Sequence, residues 1–197
     1  MKKIRHMSKK MDITSLYLEG YSNAFTGREI ARKLSVSPQT ALTHLKELVR
    51  LRILNANKKG RNIEYSLNLN NLQAKLLIEM AELNKSIQVL TNPELKIIFE
   101  ELSPLAEAII LFGSFAVGKE KPDSDVDLVI VGRSNKDKIK KILRRYPRKI
   151  NVEFVSLMAL QKAFQQKKAL AVEIAKKHVL FGDVHAIVDV FVRFSVR

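Results

Sequence analysis

The sequence predicts a two-domain α+β protein, and three observations support this fold class. The first 70 residues contain short amphipathic helical patterns followed by two strand-like runs. The second half alternates apolar strand patterns with helical patterns, which predicts a mixed sheet packed against helices. A chain of 197 residues is long enough for two small domains, each with its own core.

The patterns divide the chain into four segments. We expect a basic tail over residues 1–12, an N-terminal domain over residues 13–69, a helical connector over residues 70–104 and a C-terminal domain over residues 105–197. The basic start has no apolar stretch behind it, so it does not predict a signal peptide. No run is long and apolar enough to span a bilayer, so we expect a soluble, cytoplasmic protein with no membrane partner.

The net charge of +15 is concentrated in the first part of the chain. Up to Asn70 there are 14 Lys/Arg and 5 Asp/Glu residues. A basic domain attracts polyanions, which makes nucleic acid the first partner to consider, although a solvated Lys-rich surface is the simpler alternative. The absence of cysteine excludes disulfides and thiolate metal sites.

The N-terminal domain contains two helix starts with side-chain caps. Thr26 and Glu29 have the spacing of a capping box, which predicts a helix over REIARKL. Ser37 followed by Pro38 predicts a second helix that continues to about Leu51. The residues that we expect to be buried on these two helices are Ile30, Ala31, Leu34, Leu42, Leu45, Leu48 and Val49.

Two helices joined by a short turn form a helix-turn-helix, and the second helix has a polar outer face. Lys46, Arg50 and Arg52 would contact phosphates. Gln and Thr near the start of such a helix can reach base edges in the major groove. The candidate outer-face residues are Gln39, Thr40, Thr43, His44 and Lys46.

A basic hairpin is predicted after these helices. Two strand-like runs, residues 53–57 and Asn62–Leu67, flank a turn at Gly60. Lys58, Lys59 and Arg61 would place three cations at its tip, beside a DNA backbone. With "REIARKLSVSPQTALTHLKELVRLRIL" before it and "GRNIEYSL" within it, residues 13–69 resemble the winged helix-turn-helix family, which implies DNA binding. Some winged helices dock proteins instead, and that alternative stays open.

The connector is predicted to be helical. A second helix should begin at Pro93 and end near Leu102. The first helix carries an apolar stripe that either packs into the core or forms a dimer interface. A dimer would match a DNA site with two-fold symmetry. Its members are Leu72, Leu76, Leu77, Met80, Leu83, Ile87 and Leu90.

The candidate chemistry lies in the segment AEAIILFGSFAVGKEKPDSDVDLVIVG. A strand over residues 108–112 ends at Gly113-Ser114, and a second strand begins at Asp125-Val126-Asp127. Residues two apart in a strand share a face, about 7 Å apart. Two carboxylates on one face with no basic neighbour in the sequence repel each other unless a cation lies between them, which favours Mg²⁺.

Two further features would complete a nucleotide site. Gly113 lets the backbone approach a triphosphate, and Ser114 with the N–H groups of the next helix can bind the β and γ phosphates. Glu153, on the strand-like run Ile150–Val155, is a charge in an apolar strand and could supply a third carboxylate. Three carboxylates could bind two Mg²⁺ ions about 4 Å apart.

The spacing Gly113-Ser114, ten residues, Asp125-x-Asp127 resembles the DNA polymerase β nucleotidyltransferase superfamily, and most closely its minimal nucleotidyltransferases. The resemblance covers about residues 105–181. It implies transfer of a nucleoside monophosphate, AMP from ATP or another nucleotide from its triphosphate, to an acceptor hydroxyl with release of pyrophosphate. Val117 stands where the family often has Arg, and "VEFVS" assigns the third acidic position to Glu153 rather than to an Asp.

As the acceptor, the resemblance implies either a protein side chain, as in antitoxins that modify a partner toxin, or a small molecule. Fusion to a DNA-binding module favours a protein acceptor and self-regulated transcription. The alternative from another functional class is a transcription regulator whose C-terminal domain only binds a nucleotide.

Overall fold

The computed structural model describes residues 2–196, and the side chains of residues 9–196. The chain divides into two units. One unit runs as far as Ala81 and also takes the last residues from Ser195 onward, and the other unit comprises Glu82–Phe194. The division falls inside a helix, so each unit is described separately.

Helix α1 (Lys2–Ser15) covers the segment that we expected to be a tail. Ile13 and Thr14 on this helix are buried, with relative exposures of 1% each. The ammonium of Lys10 lies 2.8 Å from a carboxylate oxygen of Glu47. Residues 2–12, which we expected to be a basic tail, are therefore part of a helix, which is held against the unit by the buried Ile13 just after this segment and by the ion pair of Lys10.

Both predicted helix starts are confirmed. Thr26 caps α2 (Gly27–Lys33) in a reciprocal capping box with Glu29. The Ser37 side chain accepts a hydrogen bond from the backbone N–H of Thr40 and caps α3 (Pro38–Arg50). These caps stabilise backbone N–H groups that have no partner within the helix, so the sequence alone locates both starts.

The buried face of α3 includes two of the four residues predicted for it. Leu45 and Leu48 are fully buried, as expected, but Ala41 joins them in place of Leu42. Leu42 and Val49 are half-buried. The sequence pattern favoured large apolar residues and passed over Ala41, which is 1% exposed.

A three-stranded antiparallel sheet completes the first unit. Its strands are β1 (Ala24–Thr26), β2 (Leu54–Lys59) and β3 (Asn62–Leu67), in the order β1-β3-β2. Lys59 pairs with Asn62 across the hairpin turn, where Gly60 has a φ of 59°. The hairpin was predicted, although β2 lies closer to the turn than the predicted run over residues 53–57. Strand β1 was not predicted, because three residues are too few to give a period-two pattern.

Helix α4 (Leu72–Val89) exposes most of the apolar stripe that the sequence predicted. Leu77 is buried, and the small residues Ala74 and Ala81 are buried with it. No helix in the described part of the chain is long and apolar enough to cross a membrane. The exposed members of the stripe are Leu72, Leu76, Met80, Leu83 and Ile87.

The second unit contains a four-stranded mixed sheet with helices. Helix α5 (Pro93–Leu102) begins at the predicted Pro93 and is capped by Asn92. Strand β5 (Val126–Ser134) is antiparallel to β4 (Ala106–Phe112) and parallel to β6 (Ile150–Val155). Strand β7 (His178–Gly182) is antiparallel to β4. The strand order is β6-β5-β4-β7. The remaining helices are α6 (Lys136–Leu143), α7 (Leu157–Gln165), α8 (Ala169–Lys176) and α9 (Val184–Ser195).

The central strands β4 and β5 are apolar on both faces because the sheet is covered on both sides. Residues 108–111 and 128–131 are buried throughout, which explains their continuous apolar runs. On one face, Phe99 of α5 stacks on Phe181 of β7 with ring centroids 3.8 Å apart. This core fixes the positions of the strand ends that carry the polar residues described below.

A buried polar cluster joins the end of α4 to β7. His178 and Glu82 are both inaccessible to solvent, and His178 Nε2 lies 2.8 Å from Glu82 Oε1. His178 Nδ1 donates to the carbonyl of Ile174 at 2.6 Å. The Ser86 hydroxyl donates to the carbonyl of Leu180, and Lys85 Nζ donates to that of His178. The hydrogen bonds offset the desolvation of these groups.

Candidate active site

The sheet brings the predicted glycine and carboxylates to one edge. Strand β4 ends where the antiparallel strand β5 begins, and Phe112 pairs with Asp127. Gly113 therefore lies next to Asp127, and a Cβ on Gly113 would be 2.6 Å from Asp127 Oδ2. Gly113 also has a φ of +75°, which side chains other than glycine rarely adopt. The structure thus brings together Gly113, Ser114, Asp125 and Asp127.

The segment after Gly113 is shorter than expected. Ser114 is half-buried and is followed by a single 3-10 turn, Phe115–Val117, rather than by a long helix. The Ser114 side chain makes no capping hydrogen bond, and its carbonyl accepts from the backbone N–H of Lys119 at 3.1 Å. Phosphate contacts in this segment would therefore come from individual N–H groups and the Ser114 hydroxyl, with little contribution from a helix dipole.

Lys149, which immediately precedes β6, and Asn151 of β6 contact the carboxylates. Lys149 Nζ lies 2.6 Å from Asp125 Oδ2. The Asn151 side-chain amide donates to Asp125 Oδ2 at 3.2 Å and to Asp127 Oδ1 at 2.9 Å. Asn151 pairs directly with Asp127 in the parallel ladder between β5 and β6. Asp125 therefore has a basic neighbour, which the sequence did not reveal because Lys149 is far from it along the chain.

The ion pair keeps Asp125 and Lys149 charged. The hydrogen bond from Lys149, with a smaller contribution from Asn151, lowers the pKa of Asp125 below its usual value even though partial burial acts in the opposite direction. The hydrogen bond to Asp125 correspondingly raises the pKa of Lys149. Asp125 is therefore ionised at neutral pH and available as an anionic oxygen ligand.

Glu153 does not join this group, which corrects the sequence-based assignment. The strand register places Glu153 opposite Val129, two residues beyond the pair formed by Asp127 and Asn151. Glu153 and Asn151 are on the same face of β6 but about 7 Å apart along the strand. Within residues 2–196, no group of three His, Cys, Asp or Glu side chains could hold a metal ion. The phrase "VEFVS" located an acidic residue correctly but could not give its register against β5.

Arg148 holds the loop before Asp125 in place, and the sequence gave no signal of this role. Its Nη1 donates to the carbonyls of Pro122 and Ser124 at 3.0 and 2.8 Å. Its Nε pairs with Glu94 at 2.9 Å, and its guanidinium carbon lies 5.2 Å from the centroid of the Phe115 ring. A cleft of about 700 Å³ beside Asp125 is lined by residues including Tyr146, Arg148 and Lys149.

The candidate DNA-contacting residues lie on the surface of the first unit, with one exception. His44 is half-buried rather than exposed. The Thr43 hydroxyl donates to the carbonyl of Gln39, and Lys59 pairs with Glu64 at 3.2 Å. Local contacts therefore engage some of these side chains. The exposed candidates are Gln39, Thr40, Thr43, Lys46, Lys58, Lys59 and Arg61, together with Arg50 and Arg52.

Comparisons with known proteins give a family match within the second unit. Residues 93–186 match the family model of the nucleotidyltransferase domain. No curated protein matches the chain. A solved structure described as "Crystal structure of the toxin-antitoxin with AMP-PNP" is 18% identical, with 57% of this chain and 82% of that chain covered and a TM-score of 0.28.

A second solved structure is described as "Structure of TrmBL2, an archaeal chromatin protein, shows a novel mode of DNA binding." It is 14% identical, with 93% of this chain and 89% of that chain covered and a TM-score of 0.25. Both TM-scores are too low to infer a shared fold. The match of residues 93–186 to the family model is therefore the comparison that bears on the site.

Replacement of Gly113 by alanine tests whether the close approach of the backbone to Asp127 matters for the site. We expect Gly113→Ala to displace the Asp127 carboxylate and to weaken binding of a nucleoside triphosphate with a divalent cation by about tenfold, the effect of losing one charge-assisted contact. Isothermal titration calorimetry measures this affinity.

Gly118→Ala is the matched control, because Gly118 has a similar φ of +62° but nothing lies within 4 Å of the position that a Cβ would take there. Both variants should lose similar backbone stability in thermal melts. Equal losses of nucleotide affinity in the two variants would contradict a specific role for the contact between Gly113 and Asp127.

Proposed function

We propose that the second unit is a Mg²⁺-dependent nucleotidyltransferase that moves a nucleoside monophosphate, AMP from ATP, to an acceptor hydroxyl. The observation that carries the proposal is the convergence of Gly113, Asp125 and Asp127 at one sheet edge, inside the stretch that matches the nucleotidyltransferase domain. Paired carboxylates beside a glycine turn suit a metal-bound triphosphate. The Lys149 amine that contacts Asp125 is kept protonated by that contact, which raises its pKa, so it is not a nucleophile for a covalent mechanism.

The donor set at this edge fits a hard divalent cation. Carboxylate oxygens are preferred ligands of Mg²⁺, which also binds substrate phosphates. Asp125 and Asp127 are close enough for one amide group of Asn151 to donate to both. A bound Mg²⁺ would neutralise charge on the phosphates and polarise the phosphorus–oxygen bonds. The residues that would hold it are Asp125 and Asp127.

The residues of the chain orient the reaction. The acceptor oxygen attacks the α-phosphorus, the bond from that phosphorus to the pyrophosphate oxygen breaks, and the hydroxyl proton passes to water as pyrophosphate leaves. Gly113 and Ser114 hold the triphosphate, and the Lys149 ammonium can move from Asp125 to a phosphate oxygen. The Lys149 side chain is 71% exposed, so this movement costs little packing.

A protein hydroxyl is the acceptor that we propose. A domain that modifies a partner protein and is fused to a DNA-binding module could control its own expression together with that of the partner. We therefore place the protein in the cytoplasm, where ATP, DNA and partner proteins occur together.

Labelling with α-³²P-ATP and Mg²⁺, with the product of the neighbouring gene as a candidate acceptor, tests the transfer reaction. We expect Asp125→Ala to lower labelling by roughly 100-fold, because electrostatic stabilisation of the reacting phosphate is lost. Glu153→Gln is the control and should retain labelling, since Glu153 lies opposite Val129. Retained labelling in the Asp125→Ala protein, or no labelling of any candidate acceptor, would contradict the proposal.

We also propose that residues 13–69 form a winged helix-turn-helix that binds DNA. The element order α1, β1, α2, α3, β2, β3 and the hairpin with three exposed cations support this proposal. The exposed polar face of α3 is the candidate recognition surface, and Gln39 near its N-terminus is the best placed to contact a base. Lys46 and the hairpin cations would contact phosphates.

The hairpin cations give a quantitative test of DNA binding. We expect the double variant Lys58→Gln/Arg61→Gln to weaken binding to all DNA sequences and to reduce the slope of log K against log salt by about 2, one for each lost phosphate contact. The control, Lys176→Gln/Lys177→Gln, removes the same charge from the other unit. Fluorescence anisotropy over a salt series measures both. Equal slopes for wild type and the hairpin variant would argue against DNA contact by the hairpin.

A second candidate function is favoured by Asn151. The side chain of Asn151 is a neutral amide, and it lies beside Asp127, where a third carboxylate would assist transfer. A site with only two carboxylates suits a transcription regulator that binds a nucleotide without turnover. In that case Mg²⁺ and nucleotide would change operator affinity without release of pyrophosphate. Pyrophosphate release with an acceptor present selects the transferase instead.

We further propose that the protein forms a homodimer through the exposed stripe of α4. The five exposed residues recur at spacings of four, four, three and four, as in a helical pairing seam. We expect a dimeric mass by light scattering at micromolar concentration and a monomeric mass for Leu76→Gln/Leu83→Gln. The control, Met158→Gln, replaces an exposed apolar residue outside α4. A monomeric mass for the wild-type protein would contradict the proposal that α4 forms a dimer interface.

A further inference from the structure

The amide of Asn151 has a fixed orientation because of its neighbours. Ionised carboxylates only accept hydrogen bonds, so the group that faces Asp125 and Asp127 must be the NH₂ of the amide. The distances of 3.2 and 2.9 Å show that this single group bridges both carboxylates. The amide oxygen of Asn151 therefore points away from the space where a cation would bind both aspartates.

We propose that Asn151 restricts this site to a single divalent cation, held by Asp125 and Asp127 together with the nucleotide. This inference rests on the proposed nucleotide substrate and adds the number of metal ions that accompany it. It replaces the sequence-based expectation of two ions bound by three carboxylates.

The geometry disfavours a second ion for two reasons. To ligate a cation, the Asn151 amide would have to turn over and lose both of its hydrogen bonds to the carboxylates. An amide also contributes no negative charge, and the Lys149 ammonium offsets one of the two carboxylate charges. Two divalent cations about 4 Å apart repel strongly, and this repulsion must be balanced by anionic ligands.

Glu153 cannot supply the missing charge without rearrangement of the sheet. It would have to move by two positions along β6 to lie beside Asp127, which would break the parallel ladder from Val126↔Ile150 to Val131↔Val155. The site therefore has the ligands for the ion that clamps the triphosphate but lacks an anionic ligand for an ion beside the acceptor hydroxyl. Transfer would consequently be slow unless the acceptor brings its own activating group.

Counting bound ions tests the inference directly. The probe is Mn²⁺, whose free concentration is measured by electron paramagnetic resonance. The titration is made with a saturating concentration of an ATP analogue that carries a non-cleavable bond between its α and β phosphates, so that no transfer takes place. We expect one Mn²⁺ in each complex of wild-type protein with analogue, and two in Asn151→Asp. Analogue without protein gives the background.

A second measurement does not involve turnover or nucleotide. Asn151→Asp places a third carboxylate within hydrogen-bond distance of the other two, and their repulsion should lower the melting temperature in EDTA. Mg²⁺ should restore it, because a cation relieves that repulsion. The wild type should show little dependence of its melting temperature on Mg²⁺.

Two control variants keep the test decisive if Asn151→Asp fails to fold. Lys149→Met removes an exposed ammonium that competes for Asp125, and in titrations without the analogue it should raise the affinity for the single Mn²⁺ by roughly tenfold, with the stoichiometry unchanged. Glu153→Gln should change neither affinity nor stoichiometry. Two ions in the wild type, or loss of an ion in Glu153→Gln, would overturn the inference. A wild type that takes up no analogue at any Mn²⁺ concentration would instead refute the proposed nucleotide function.

Discussion

The parallel pairing of β5 with β6 is the constraint on which the site depends. It places Asn151 beside Asp127 and brings Lys149, the residue before Ile150, within 2.6 Å of Asp125. A shift of two residues would keep the same faces inward and would bring Glu153 to the carboxylates instead. The apolar face of β6, with Ile150, Val152 and Phe154, packs against the core of the unit, so the chemistry of the edge follows from how this strand is seated on that core.

The sequence predicted the parts of the site that depend on contacts close along the chain. Gly113 and Asp127 end one strand and begin the next strand of an antiparallel pair, so their proximity follows from a short connection. The helix caps at Thr26 and Ser37 were predictable for the same reason, since each cap acts within three residues. The polar partners Arg148, Lys149 and Asn151 come from the start of β6 and the two residues before it, 24 to 26 residues away along the chain, and no local pattern determines which of them faces Asp125.

Burial in the helices was predicted less well than their positions. On α3 the small residue Ala41 is buried where the pattern favoured Leu42, and α4 exposes five of the large apolar residues assigned to its stripe. Hydrophobic periodicity identifies an apolar face but not what covers it. The buried pair Glu82–His178 had no signature at all, because each residue alone is typical of a solvated helix or strand end.

The hydrogen bonds of Asn151 also explain how this edge is stable without a cation. Two adjacent carboxylates normally need a counter-charge, and here an ammonium pairs with one while an amide donates to both. The same contacts compete with a metal ion, because a cation that enters must displace Lys149 from Asp125. Binding of metal and nucleotide should therefore be coupled, since the triphosphate offers Lys149 a new anionic partner as the cation takes its place. Asn151 and Lys149 thus offset the repulsion between the two carboxylates, and their contacts lead us to expect that metal uptake depends on the nucleotide.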